Sequence, residues 1–143
     1  MRIAQQTAVF LGAALLSPGA VLAQADNQPT MVGGVETVCT GTTTDVREDP
    51  KWQAYSLRLE FAGKDGQYLG DEQVNVSGNG QSISVHCNGP WVLMKLPPGT
   101  YKVTADVADA GHKDVTVRVP GRVIVRFPNA GGEVDEASKT AVR

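Results

Sequence analysis

The sequence predicts an all-β fold, an antiparallel sandwich of seven short strands, and three observations carry the prediction. From Ser56 onward apolar residues recur with a period of two, as half-buried strands require. Clusters of Gly, Pro and Asn punctuate that alternation at the places where hairpins turn. No segment of useful length shows the 3.6-residue apolar period of an amphipathic helix. Strands that follow one another without helices must bury one face of their sheet against a second sheet.

The N-terminus has one basic residue, Arg2, a mostly apolar run from Thr7 to Leu16, a Ser17-Pro18-Gly19 break and then small residues. This is the layout of a cleaved secretory signal peptide over residues 1–23. Val21-x-Ala23 sets cleavage before Gln24, and Ala23-x-Ala25 would set it before Asp26. The apolar run is too short and too broken for a spanning helix. The expected location is therefore the periplasm or the exterior, with no membrane span after cleavage. Residues 24–143 are the size of one domain with one core. The net charge of −2 is too small to attract a polyanion, so no nucleic acid partner is expected. Cys39 and Cys87 are the two cysteines, and an even count in an oxidising compartment reads as a disulfide.

Residues 24–55 form a poorly defined extension. The stretch up to Gly34 is polar and aperiodic, and reads as a flexible lead-in. "TGTTTDV" favours extended or turn structure, and a short helix is expected over 50–55, with Asp49 as its cap and Pro50 in its first turn. The strands follow over 56–127. "SLRLEFA" puts Leu57, Leu59 and Phe61 on one face. "EQVNVSGNGQSISVHC" is a hairpin about Asn79-Gly80, with Val74 and Val76 facing Ile83, Val85 and Cys87. "YKVTADV" alternates through Tyr101, Val103, Ala105 and Val107. "DVTVRVPGRVIVRF" supplies two strands about a Pro120-Gly121 turn. The polar, small-residue tail over 128–143 is expected to be disordered.

The seventh strand, "WVLMKL", has two possible phases. One turns Val92, Met94 and Leu96 inward and Lys95 outward. The other turns Trp91 and Leu93 inward and needs a slip before Leu96. Pro98-Gly99 suits the central positions of a type II turn, and Tyr101 after it can bury its ring and return its hydroxyl to nearby backbone. The pattern Gly89, Trp91, Leu93, Leu96, Pro97, Pro98, Gly99 and Tyr101 resembles the carboxypeptidase regulatory-like domain of exported bacterial proteins, a prealbumin-like (immunoglobulin-like) sandwich. The resemblance covers about 56–127. It implies that Trp91 and Leu93 enter the core, that a bulge near Lys95 restores phase, and that the domain is accessory. Val92 and Met94 would then face outward, covered by the Cys39–Tyr55 segment and its Trp52.

No catalytic residues, cofactor or metal are expected. Cys39, His86, Cys87 and His112 lack metal-ligand spacing, and neighbours such as His86 and Cys87 point to opposite faces of a strand. Asp65, Asp71 and Glu72 read as solvated turn charges rather than a Ca²⁺ loop. The purine-pathway hydrolases of prealbumin-like fold end in Tyr-Arg-Gly-Ser, which this chain lacks. Arg118 and Arg126, with Arg122, would form a mild basic face or simply guard exposed strands. The expected function is non-catalytic, an interaction or accessory module for another periplasmic or cell-envelope protein or a polysaccharide. Trp52, Val92, Met94, Arg118 and Arg126 are its candidate contact residues. The alternative is a carbohydrate or small-ligand binder using an exposed tryptophan.

Overall fold

A computed structural model describes residues 23–128 and 130. The expected signal peptide, up to residue 22, and the expected tail beyond Ala130 lie outside the described residues. Nine strands appear among them: β1 (Thr30–Val32), β2 (Val35–Thr40), β3 (Leu57–Gly63), β4 (Glu72–Gly78), β5 (Gln81–Cys87), β6 (Trp91–Met94), β7 (Gly99–Val107), β8 (Gly111–Val119) and β9 (Gly121–Phe127). They form two sheets, β1-β2-β6-β3-β9 and β5-β4-β7-β8. Inward side chains of the two sheets, among them Leu57, Leu59, Phe61, Val74, Val103, Val117 and Phe127, pack into one core.

The seven expected strands are all present, and the count rises to nine because the N-terminal extension adds β1, within the expected flexible lead-in, and β2, beyond it. β2 pairs with β6 from Thr37↔Met94 to Thr40↔Trp91, so it completes the sheet that β6 would otherwise edge. A strap at residues 24–27 closes the same end of the sandwich. Gln24 N donates to His86 O at 2.9 Å and Asn27 N donates to Cys39 O at 2.7 Å. These bonds satisfy backbone groups that a threonine-rich sequence pattern does not advertise. Cys39, on β2, bonds Cys87, on β5, with Cα atoms 5.4 Å apart. The disulfide thus staples one sheet to the other.

The arrangement is not wholly antiparallel. β9 runs parallel to β3, in register from Leu57↔Gly121 to Gly63↔Phe127. The Pro120-Gly121 turn is therefore not a hairpin within one sheet. It carries the chain from β8 in the four-stranded sheet to β9 in the five-stranded one. Asn79 (φ 52°) and Gly80 (φ 78°) do form a two-residue hairpin loop, because both tolerate left-handed backbone. Gly99 stands at φ 155°, which is wider than the type II turn expected at Pro98-Gly99. Tyr101 is buried, and its hydroxyl donates to Pro97 O at 2.7 Å. Tyr101→Phe strands that carbonyl and is expected to lower the unfolding free energy by about 1–2 kcal/mol in a denaturant titration.

Glu72 corrects a further expectation. It is not a solvated turn charge, since it opens β4 on the inward phase shared with Val74 and Val76 and is 0% exposed. Neither carboxyl oxygen finds a hydrogen-bond partner among the described residues. Burial pushes this carboxyl up to about 9, with the nearby charges of Asp71 and Asp26 adding to the effect.

Candidate interaction surface

β6 is the centre of the candidate surface, and its phase is the reverse of the one the resemblance implied. Val92, Met94 and Leu96 enter the core between the sheets. Trp91 and Leu93 lie on the outer face, in a second cluster with Val38 and Trp52, against which Val46 and Tyr55 pack. No bulge is needed, because Val92, Met94 and Leu96 keep one parity and Lys95 points out. The Cys39–Tyr55 segment does cover β6, but it covers Trp91 and Leu93 and leaves Val92 and Met94 to the core. A central strand buried on both faces is apolar throughout, so alternation cannot assign its sides.

The cover is built from two capped turns. α1 (Thr44–Arg47) begins at Thr43, whose hydroxyl accepts from Val46 N at 3.3 Å. A 3₁₀ helix, Pro50–Ala54, begins at Asp49, whose carboxylate accepts from Lys51 N at 3.0 Å. This is where the short helix was expected. Trp52 drops from it onto the sheet, and its indole N–H donates to Val46 O at 2.7 Å. The segment ends on Tyr55, whose hydroxyl donates to Glu36 Oε2 at 2.5 Å, while Lys95 Nζ stands 3.5 Å from Glu36 Oε1. The Tyr55 hydrogen bond holds the Glu36 carboxyl below its ordinary range.

Beside the cover, arginine and aromatic side chains alternate. The Arg58 guanidinium lies 4.0 Å above the Trp91 ring, Tyr68 meets Trp91 edge-on with centroids 6.5 Å apart, and Arg47 lies 4.8 Å from the Tyr68 ring. Such stacks are favourable because the ring face is electron-rich. Glu60, buried, is flanked by Arg58 Nε at 2.9 Å and Arg122 Nε at 3.5 Å. One carboxylate between two guanidinium groups leaves this face with excess positive charge. Burial holds Arg58 below its ordinary range, with Glu60 acting against that shift.

Between the 3₁₀ helix and the Pro120 corner lies an open groove of about 560 Å³, lined in part by Trp52, Tyr55, Ser56, Arg58, Pro120 and Arg122. Its charged lining residues, Arg58 and Arg122, are both cations. The Ser56 hydroxyl is already engaged, since it accepts from Leu96 N at 2.8 Å. A smaller hollow of about 220 Å³ beside Met31 offers one charged group, Glu36, which Tyr55 and Lys95 already hold.

The expected contact residues divide accordingly. Val92 and Met94 are fully buried and present nothing to a partner, and Trp52, also buried, offers only the edge that lines the groove. Trp91 is 4% exposed and Trp52 5%, so neither serves as the exposed tryptophan of a sugar platform. Arg118 and Arg126 are both exposed but do not share a face. Arg118 is on the outside of the four-stranded sheet and Arg126 on the outside of the five-stranded one, because the corner between them changes sheets. The residues set aside as metal ligands are also dispersed. Cys39 and Cys87 bond each other, His86 meets Asp71 at 2.6 Å, and His112 sits 2.8 Å from both Asp106 and Asp114. Those two carboxylates raise the His112 pKa.

Sequence reasoning missed Arg58, Glu60, Tyr68 and Arg47 as a group. The outward phase of Arg58 and Glu60 was visible, but their meeting with Trp91 depends on the β3–β6 register, Glu60↔Trp91. The outer face of the other sheet differs in kind: Gln73, Asn75, Ser77, Ser82, Ser84, Thr104 and Thr116 share it with charged groups of both signs, among them Lys102, Asp106, Asp114 and Arg118, and among the described residues it carries no Phe, Tyr or Trp side chain. Comparison with known protein families and with curated proteins yields no match to this chain.

Proposed function

We propose that this protein is an exported, non-catalytic interaction module that docks on another cell-envelope protein through the outer face of its five-stranded sheet. The carrying observation is the contrast between the two outer faces. One has a groove with Arg58 and Arg122 beside aromatic rings, and the other is polar, of mixed charge and, among the described residues, without a Phe, Tyr or Trp side chain. Arginine and aromatic side chains are the types enriched where proteins meet. Export is supported by the Cys39–Cys87 bond, which an oxidising compartment favours. The likeness of residues 56–127 to the carboxypeptidase regulatory-like domain belongs to this reading, since such domains are usually accessory.

Photo-crosslinking in intact cells tests the assignment. A crosslinking residue placed at Gln53, Arg122 or Ile124 is expected to trap a discrete partner protein, whereas one at Ser84, Lys102 or Thr116 is not. Equal capture from both faces, or none from the first set, overturns the proposal.

A further inference from the structure

We infer that the free edge of β9 receives an extended acidic peptide by strand addition. The inference rests on the docking reading above and gives the partner's contacting segment a chemistry.

Backbone parity comes first. Gly121 N donates to Ser56 O at 2.9 Å. In the parallel register that follows, residues 121, 123, 125 and 127 turn their N–H and C=O groups toward β3. Arg122, Ile124 and Arg126 consequently aim theirs at the open edge, since β9 is the last strand of its sheet. Among the described residues no backbone hydrogen bond to these three is found. Unpaired edge groups of this kind are a template for an added strand.

The side chains of the same three residues select the occupant. All three are exposed and lie on the outer face, in the order cation, apolar, cation with two-residue spacing. An incoming strand matches them with acidic residues four positions apart and an apolar residue midway. Arg122 has Glu60 at 3.5 Å and Arg126 Nη1 donates to Gly63 O at 3.4 Å, which leaves most of both guanidinium forks open. A second copy of this chain does not match. Antiparallel pairing of β9 with itself about Ile124 would set Arg122 opposite Arg126 twice, and like charges directly opposite are unfavourable. The other edges are less suited: β1 has three residues, β5 is bridged at Cys87 by Gln24, and β8 presents His112, Asp114 and Arg118 in mixed sign.

The test uses the full exported protein and a labelled, end-blocked peptide, Ser-Glu-Thr-Val-Thr-Glu-Ser, with binding read by fluorescence anisotropy. N-methylation of the amides of one parity (Glu, Val, Glu) or of the other (Thr, Thr) separates backbone pairing from charge attraction. One set is expected to weaken binding by about tenfold or more, and the other to leave it nearly unchanged. Ile124→Pro removes an N–H that serves no internal bond, and an edge strand tolerates it. It is expected to abolish binding with little change in melting temperature. Should that variant fail to fold, the methylated peptides still decide the matter on the unaltered protein. Undetectable binding, or equal loss from both methylation sets, overturns the inference, as does self-association through β9 in sedimentation. Crosslinking from Arg122 and Ile124 that persists after such a failure leaves the docking reading intact and removes strand addition alone.

Discussion

Glu72→Gln is expected to stabilise the protein by about 3 kcal/mol at pH 7 and to leave it nearly unchanged near pH 4.5. In the folded state this carboxyl keeps its proton up to a pKa of about 9, whereas its ordinary value is 4.5. The native state therefore binds more protons than the unfolded chain between those limits. Stability falls as pH rises through that window, by at most about 1.4 kcal/mol per pH unit, and the loss is complete above about pH 9. Glutamine has the same shape, no proton to lose and a comparable polar group to bury, so it removes the slope without opening a cavity. The measurement is a set of denaturant titrations of both proteins across pH 5–9. Parallel pH profiles would show that Glu72 reaches solvent or a counter-charge in the folded protein.

The second large effect belongs to the disulfide. Cys39→Ala combined with Cys87→Ala is expected to lower the unfolding free energy by about 4 kcal/mol, since the bond closes a loop with a sequence separation of 48. The position adds to the consequence, because both sulfurs are buried and the strap residues 24–27 hydrogen-bond the chain beside each cysteine. Reduction should therefore loosen the strap before the strands, seen as early loss of amide protection at Asn27. A double variant within about 1 kcal/mol of the parent would mean that the strap and core hold this end unaided.

The fold's legibility varied with how many faces an element buries. β4, β5, β7 and β9 each show one wet face and β3 puts charged residues on its outer one, so their alternation is plain in Leu57–Phe61 or Tyr101–Val107. The two cysteines disclosed their bond through their even count and the expected export, and Asp49-Pro50 disclosed the 3₁₀ helix through cap chemistry. β2 was illegible because its outward Val38 lies under the cover and its inward Thr37 is polar, so no alternation survives. The parallel course of β9 was illegible because strand direction depends on whether a turn closes a hairpin or changes sheets. Glu72 was legible in principle, since extending the phase of Val74 and Val76 by two residues reaches it. Its charge argued otherwise. The arginine–aromatic surface required knowing which strands are neighbours, and that information is long-range.

The double burial of β6 bears on how this chain chooses one structure among near neighbours. A strand with one wet face carries its own address, because slipping by a residue exposes oil and drowns charge. β6 carries none: exchanging Trp91 and Leu93 for Val92 and Met94 swaps one apolar pair for another. The choice is made off the strand, by the Cys39 sulfur bound to the opposite sheet, by the Tyr101 hydroxyl fixed at Pro97, and by an indole that fits beneath Trp52. Specification of the central strand is thus delegated to its periphery, and changes there can misplace a segment whose own residues are untouched.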